Sequence, residues 1–394
     1  MRRIEFTVGL SAGDGGVAGA RDEAYHIAVS EHPIHVIKGR GTALRPQARY
    51  DRHTREAVDD GWTQPDADDD ERPSPRTVVV ERPAKTIITR NESPDLPFSQ
   101  SINPYLGCEH GCIYCYARPS YAYWDMSPGL DFETRLFAKT NAAELLRDEL
   151  GKRSYRCEPI MLGANTDAYQ PIEREWKLTR KVVEILHAAR HPLIIVTKSS
   201  LVERDIDLLA PMAADGLAQV AISLGLLDGD LARKLEPRAA APHRRLQTMR
   251  TLAAAGIPVT VLAAPIIPQL NDKDLEAVLE QAREAGATSA FYVMLRLPFE
   301  LKELFRDWLH QHYPLRADHV MSLVQQMRGG KDNDPRFGKR MTGEGIFAEL
   351  IAQRFAKACT RLGLVRRSYP LRTDLFVPPS RLAAISPQLD LFDR

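Results

Sequence analysis

Three of the five cysteines in this 394-residue chain fall within eight residues, as Cys108, Cys112 and Cys115. A disulfide framework spreads its cysteines along a short secreted chain, whereas this crowding gathers thiolates on one metal centre in a reducing compartment. Gly107 and Gly111 let the backbone curl until the three sulfurs face one point. Soft thiolates select zinc or an iron–sulfur cluster. A closed zinc site needs a fourth ligand, and only His110 or the distant Cys157 and Cys359 offer one, none at a usual spacing. Three thiolates suit a four-iron cluster with one iron left open for a small molecule. The cluster is therefore the expectation, with structural zinc as the alternative.

Charge adds little direction, because 53 basic and 52 acidic side chains nearly cancel and any basic surface must be local. The start Met1-Arg2-Arg3 has no sustained apolar stretch behind it, since Glu5 interrupts, and no signal peptide is read. The longest apolar run, Leu252 to Pro268, is cut by Gly256, Pro258, Pro265 and Pro268 into a helix end and a strand, so no membrane span is expected. A cytoplasmic protein follows from these readings.

Residues 1–75 mix Gly, Asp, Arg and Pro without an apolar period, which predicts a mostly disordered extension or one draped over the core. Within it Gly39-Arg40-Gly41, Arg45, Arg49 and Tyr50 form a small basic cluster, read either as a solvated tail or as a nucleic-acid contact. From about residue 100, short apolar runs alternate with amphipathic ones, the βαβα signal of a parallel sheet covered by helices. Strands are predicted over Ile102–Leu106, Pro159–Ala164, Leu193–Thr197, Ala218–Leu224, Val259–Ala264 and Ser289–Leu295. Helices are predicted over Ala142–Leu150, Glu175–Ala189, Leu201–Ala213, Pro242–Ala254 and Lys273–Ala285, then Ala317–Arg328 and Glu344–Leu362. The fold class is α/β, a partial (β/α)6 TIM-like barrel whose working face lies at the C-terminal strand ends. The expected organisation is a core over 76–340, a helical extension over 341–377 and a flexible tail over 378–394.

Cys-x3-Cys-x2-Cys with an aromatic residue before the last cysteine, opening a six-unit α/β core, resembles the radical S-adenosylmethionine (SAM) superfamily. The flanks Asn103-Pro104-Tyr105 and Tyr116-Ala117-Arg118 are similar to its branch related to spore photoproduct lyase, a DNA-repair photolyase-like group. So are Thr166 to Glu173, Thr197-Lys198-Ser199, Glu236-Pro237-Arg238 and Ala264 to Pro268 with Asn271-Asp272. The resemblance implies a [4Fe-4S] cluster on Cys108, Cys112 and Cys115 and SAM on its open iron. It also implies reductive cleavage of SAM to a 5′-deoxyadenosyl radical, and an electron donor such as flavodoxin or ferredoxin. Tyr114, Tyr116, Thr166, Lys198 and Ser223 match positions that contact SAM in the lyase, and Asp167 and Arg238 stand beside them at strand ends. Asn271 reads instead as a helix cap, and His187, His191 and His310 as structural or exposed. One departure is plain: where the lyase carries a catalytic thiol after its second strand, this chain has Ala164-Asn165-Thr166-Asp167.

The last residues, Gln388-Leu389-Asp390-Leu391-Phe392, resemble the pentapeptide that bacterial repair proteins insert into the sliding clamp, with Gln388, Leu389, Leu391 and Phe392 as the contacts. Together these features lead to a radical SAM enzyme, of lyase or transferase type, acting on DNA in repair or modification. The alternatives are action on RNA or a peptide, and a non-catalytic cluster- or zinc-binding interaction protein.

Overall fold

A parallel strand cannot follow its neighbour through a tight turn, so each of the apolar runs must be separated by a crossover long enough to hold a helix. The computed structural model, which describes residues 36–51, 75–367 and 370–379, follows that rule. Its strands are β1 (Val78–Glu81), β2 (Ile88–Arg90), β3 (Gln100–Ile102), β4 (Tyr105–Leu106) and β5 (Arg135–Ala138). They continue as β6 (Ile160–Leu162), β7 (Leu193–Thr197), β8 (Ala218–Ser223), β9 (Val259–Ile266) and β10 (Ser289–Met294). The main sheet runs β10-β9-β8-β7-β6-β3-β2. Its six strands from β10 to β3 are parallel, and β2 adds antiparallel to β3. The sheet ends at β10 and β2 without closing, which is the open barrel.

The helices are α1 (Asp131–Thr134), α2 (Ala142–Gly151), α3 (Glu173–Trp176), α4 (Leu178–Ala188), α5 (Ile206–Ala214) and α6 (Gly229–Leu235). They continue as α7 (Pro242–Ala254), α8 (Leu275–Glu284), α9 (Leu301–His312), α10 (Ala317–Gln326) and α11 (Ile346–Leu362). Each buries one stripe: α8 turns Leu275, Val278, Leu279 and Ala282 inward, at the spacing of a single helical face. None of the described helices is long and apolar enough to cross a membrane.

Side chains alternate across each strand. Val220 and Ile222 pack into the helix-covered core, leaving Gln219, Ala221 and Ser223 on the barrel's inner face. Near the strand starts the inner face is sealed, with Gln219, Thr260 and Ser289 buried. Toward the strand ends Val196, Leu262, Ala264, Phe291 and Val293 are only half-buried. The barrel is thus filled at its base and open, with an apolar lining, at its mouth.

Several elements differ from the sequence reading: β1, β2, β5, α1 and α6 arise where none was predicted, and the helix predicted over Leu201–Ala213 begins as a 3-10 turn over Ser200–Asp205. The first predicted strand is split, because Pro104 has no N–H for the ladder. Gln100–Ile102 stays in the barrel, while Tyr105–Leu106 leaves to pair with β5 in a side sheet ordered β1-β5-β4. The helix predicted over Glu175–Ala189 is broken at Lys177, which sits in the left-handed region at φ 51°. Helix α9 was not anticipated, although Leu301, Leu304, Phe305, Trp308 and Leu309 bury a stripe at helical spacing. Residues 36–51 lie against the core, with Arg40, Thr42 and Ala48 buried.

His191, at the start of β7, is buried with its ring nitrogens facing the Tyr155 hydroxyl (2.7 Å) and the Pro192 carbonyl (3.0 Å). Burial lowers its pKa from 6.5 to about 4, against a smaller upward pull from Pro192. The unfolded chain takes up that proton near pH 6.5 and the folded chain only near pH 4, so acidification across this window removes about 3 kcal/mol of stability. His191→Gln is expected to flatten that slope when urea unfolding is compared at pH 7 and pH 4.5. Equal losses in wild type and variant would contradict it.

Candidate functional site

The cysteine loop leaves β4 and ends in a 3-10 turn over Arg118–Trp124. Local bonds shape it: Cys108 N–H donates to the Phe132 carbonyl (3.0 Å), Ile113 N–H to Leu235 (3.1 Å) and Cys115 N–H back to Cys112 (3.2 Å). Gly107 and Gly111 adopt φ 79° and 66°, and there is no room for a side chain at either. A Cβ would strike the Tyr121 hydroxyl at Gly107 and the Glu133 carboxylate at Gly111.

Distant residues then fix the loop from three sides. Arg118, fully buried, donates to the carbonyls of Cys112 (2.8 Å), Gly111 (2.9 Å) and Gly129 (2.8 Å) and pairs with buried Glu133 at 3.0 Å. From the N-terminal segment, Gly41 N–H donates to the Glu133 carboxylate (2.9 Å) and Arg40 to the Glu133 carbonyl (2.9 Å). Gln170 accepts from Glu109 N–H (2.8 Å) and donates to the Gly107 carbonyl (3.1 Å).

The three thiols are free, two of them buried and Cys115 part-exposed. Burial pushes Cys108 well above the usual thiol range, and Asp167, Cys112 and Cys115 push it further, so the three sulfurs feel one another. Burial raises Cys112 to about 12, against the pull of the nearby Lys198 ammonium. Thiols held neutral in this way give up protons when iron binds. Among the described residues no three His, Cys, Asp or Glu side chains close on a single ion. A four-iron cluster does not require that, because each thiolate binds its own iron. Three free, mutually close thiols on a rigid loop therefore fit the cluster.

At the strand ends, Lys198 places its ammonium 5.8 Å from the Tyr114 ring centroid. The Tyr114 hydroxyl bonds to Glu236, which also bonds Arg245, and Arg245 in turn holds the Ser223 carbonyl (2.9 Å). Ser223 itself is buried, its hydroxyl 3.4 Å from the Ala264 carbonyl. Tyr116 is half-exposed, with its hydroxyl on the Ala164 carbonyl. Arg238 reaches Glu109 at 2.9 Å, and its N–H donates to the His110 carbonyl. Thus Lys198 and Arg238 stand against the cysteine loop, Tyr114 and Tyr116 belong to it, and Ser223 is linked to it through Arg245 and Glu236.

Thr166 and Asp167 spend their side chains on neighbouring backbone and side chains. The Thr166 hydroxyl donates to the Tyr105 carbonyl (2.9 Å). Asp167 accepts from the Thr197 hydroxyl (2.7 Å) and Lys198 N–H (2.8 Å) and lies 3.4 Å from His110. Burial alone would raise Asp167, but His110, Lys198 N–H and Thr197 bring its carboxyl down to about 2. Asn271, expected as a helix cap, makes no cap bond. Its amide instead holds the carbonyls of Gly225 (2.8 Å) and Pro265 (2.9 Å). In the basic cluster, Arg40 is turned into the protein and bonds Pro75 and Thr77 as well as Glu133. Gln388, Leu389, Leu391 and Phe392 lie outside the described residues.

The sequence pattern of the radical SAM superfamily matches residues 102–282, from the first barrel strand past the cysteine loop to α8. An uncharacterized protein of Mycobacterium tuberculosis is 40% identical over 233 residues, 59% of this chain and 68% of its own length. The chain belongs to the radical SAM superfamily. An uncharacterized protein of Methanocaldococcus jannaschii is 30% identical over 213 residues, 54% of this chain and 76% of that one. Spore photoproduct lyase complexed with dinucleoside spore photoproduct shares the fold, with a TM-score of 0.54 at 16% identity over 74% of this chain and 82% of that chain. A mutant of the same lyase with bound AdoMet and dinucleoside spore photoproduct gives 0.52 over the same shares. This chain is accordingly a radical SAM enzyme using a [4Fe-4S] cluster and SAM, and the zinc alternative falls away.

The braces Glu133, Gln170, Glu236 and Arg245 received no role from the sequence. Gln170 and Glu236 stood inside the quoted flanks, but Glu133 carried no motif signal. Glu133→Ala would leave Arg118 buried without its anion, a loss of about 3–5 kcal/mol. The radical SAM enzyme so altered is expected to unfold at lower urea and retain less iron after anaerobic reconstitution. Unchanged iron content and midpoint would refute the bracing role.

Proposed function

We propose that this radical SAM enzyme acts on a nucleic-acid base, in DNA before RNA or peptide, in repair or modification. What supports the reading is the fold shared over 74% of the chain with a lyase solved with a dinucleoside spore photoproduct. The open apolar mouth bordered by Phe291 and Val293 offers a flat, weakly polar surface to a base that has left the stack.

When bound, the cluster and SAM supply a 5′-deoxyadenosyl radical, and the protein contributes binding, orientation and exclusion of side reactions. Lys198 offers a cation for the SAM carboxylate and Arg238 stands beside it, with Tyr114, Tyr116 and Ser223 as polar neighbours. Thr166 and Asp167 keep the ends of β6 and β7 in place for them. A flavodoxin or ferredoxin serves as electron donor. Ala164 offers no thiol, so a hydrogen atom is not returned to substrate from that position as in the lyase. Gln388, Leu389, Leu391 and Phe392 recruit the enzyme to the sliding clamp, which raises its local concentration at DNA without a strongly basic surface.

Anaerobically reconstituted, reduced enzyme is expected to form 5′-deoxyadenosine faster with ultraviolet-irradiated oligonucleotides than without, and to change the oligonucleotide mass. Stimulation by RNA or peptides alone would contradict the DNA reading. Replacing Leu391 and Phe392 by alanine is expected to weaken clamp binding by about thirty-fold or more. Retained clamp affinity would remove the recruitment role.

A further inference from the structure

Beside the cysteine loop the surface carries rings that no core covers. Tyr123 is 67% exposed, Phe299 59%, Tyr50 52% and Trp124 42%. Three of them, Tyr50, Tyr123 and Phe299, meet around Arg49, and Trp124 follows Tyr123 in the chain. Tyr50 stacks on Tyr123 with ring centroids 5.3 Å apart and planes 28° apart. The Arg49 guanidinium lies 3.7 Å over Phe299 and within 6 Å of Tyr50 and Tyr123, and Arg82 lies 3.9 Å over Trp124. Phe299 is held in the left-handed region at φ 53°, a conformation that a bulky residue keeps only where its surroundings enforce it. Contiguous exposed rings of this kind mark a binding surface rather than packing.

The cations define the partner. Arg49 pairs with Glu300 at 2.6 Å, so it serves as a fixed plane among the rings rather than as a free charge. Neither Arg82 nor Arg296 makes an ion pair among the described residues, although the Asp95 carboxylate, itself paired with Arg340, acts on Arg296 from farther off. Arg296 lies over the ring of Tyr116 at 5.7 Å, Tyr116 standing two residues before the 3-10 turn begins, and the buried Arg296 Nε has no hydrogen-bond partner. Two guanidiniums outside any ion pair flank a run of aromatic planes, and a chain of bases and phosphates answers both features. From Arg118 to Tyr123 the turn rises about 10 Å, the length of about three stacked nucleotides. A duplex keeps its base faces inside the stack and cannot use such rings, whereas an unpaired strand can.

We infer that Tyr50, Tyr123, Trp124 and Phe299, with Arg49 between them, form a stacking platform for single-stranded DNA that leads to Arg296 at the barrel mouth. The inference rests on the nucleic-acid reading above and names the form of the substrate: bases unpaired next to the site, with a phosphate on Arg296. It also gives the N-terminal segment a second role, since Arg49 and Tyr50 follow Gly41, which bonds Glu133, in the same segment.

The test uses the full-length, cluster-loaded enzyme and fluorescence anisotropy with labelled (dT)12, a 12-base-pair duplex and (rU)12. Wild type is expected to prefer (dT)12 over duplex. Tyr123→Ala, Trp124→Ala and Phe299→Ala should each weaken (dT)12 by about ten-fold, Tyr123→Phe should bind as wild type, and basal SAM cleavage should not change. Wild-type affinity in the alanine variants, or equal binding of duplex, would overturn the platform. Tighter binding of (rU)12 would overturn the choice of DNA. Ring-dependent binding of (dT)12 without any chemical change in DNA would leave the platform standing and defeat the proposed reaction. DNA turnover with ring-independent binding would do the reverse.

Discussion

The buried pair of Arg118 and Glu133 is the constraint on which the site depends. A guanidinium in this position must satisfy its donors, and it does so on the carbonyls of Gly111, Cys112 and Gly129 together with the Glu133 carboxylate. Two of those carbonyls, Gly111 and Cys112, belong to the loop that holds the three thiols, so satisfying one buried cation fixes the backbone between the cysteines. Gly111 cannot carry a side chain because the same carboxylate occupies the space. The N-terminal segment closes the arrangement through Gly41 and Arg40, which tie to Glu133.

A second layer of polar contacts connects the loop to the barrel. Asp167 joins the ends of β6 and β7 to His110 inside the cysteine loop, while Glu236 and Arg245 join Tyr114 to the end of β8. The strand ends and the cysteine loop are therefore joined by side-chain hydrogen bonds, with the Lys198 ammonium over the Tyr114 ring. Rigid placement of this kind is what a reactive radical demands, since selectivity depends on where the substrate atom stands rather than on the reagent. The half-buried lining of Leu262, Ala264, Phe291 and Val293 leaves that position apolar.

Much of this was legible because it is local. The spacing of Cys108, Cys112 and Cys115 and the six apolar runs each announce themselves within a few residues, and the strands appear where the runs lie. Local signals also explain the boundary errors. Pro104 ends a ladder inside what reads as one strand, and Lys177 turns left-handed inside what reads as one helix. Helix α9 has a plain period, but nothing nearby in the sequence says which surface its stripe covers. What sequence could not supply is the pairing of residues far apart. Arg118 with Glu133, Gln170 with Gly107 and Tyr114 with Glu236 meet only through the fold, and a polar residue in isolation looks like any solvated one. The same holds for Arg49, a surface cation by sequence and a plane between rings in the structure.

The central claim is that Cys108, Cys112 and Cys115 hold a cluster that this enzyme uses on SAM. Reduced, anaerobically reconstituted protein incubated with SAM measures it directly, by quantifying 5′-deoxyadenosine from wild type and from Cys108→Ala, Cys112→Ala and Cys115→Ala. The account predicts product from wild type and none above background from any of the three variants. Wild-type yields in all three would contradict it.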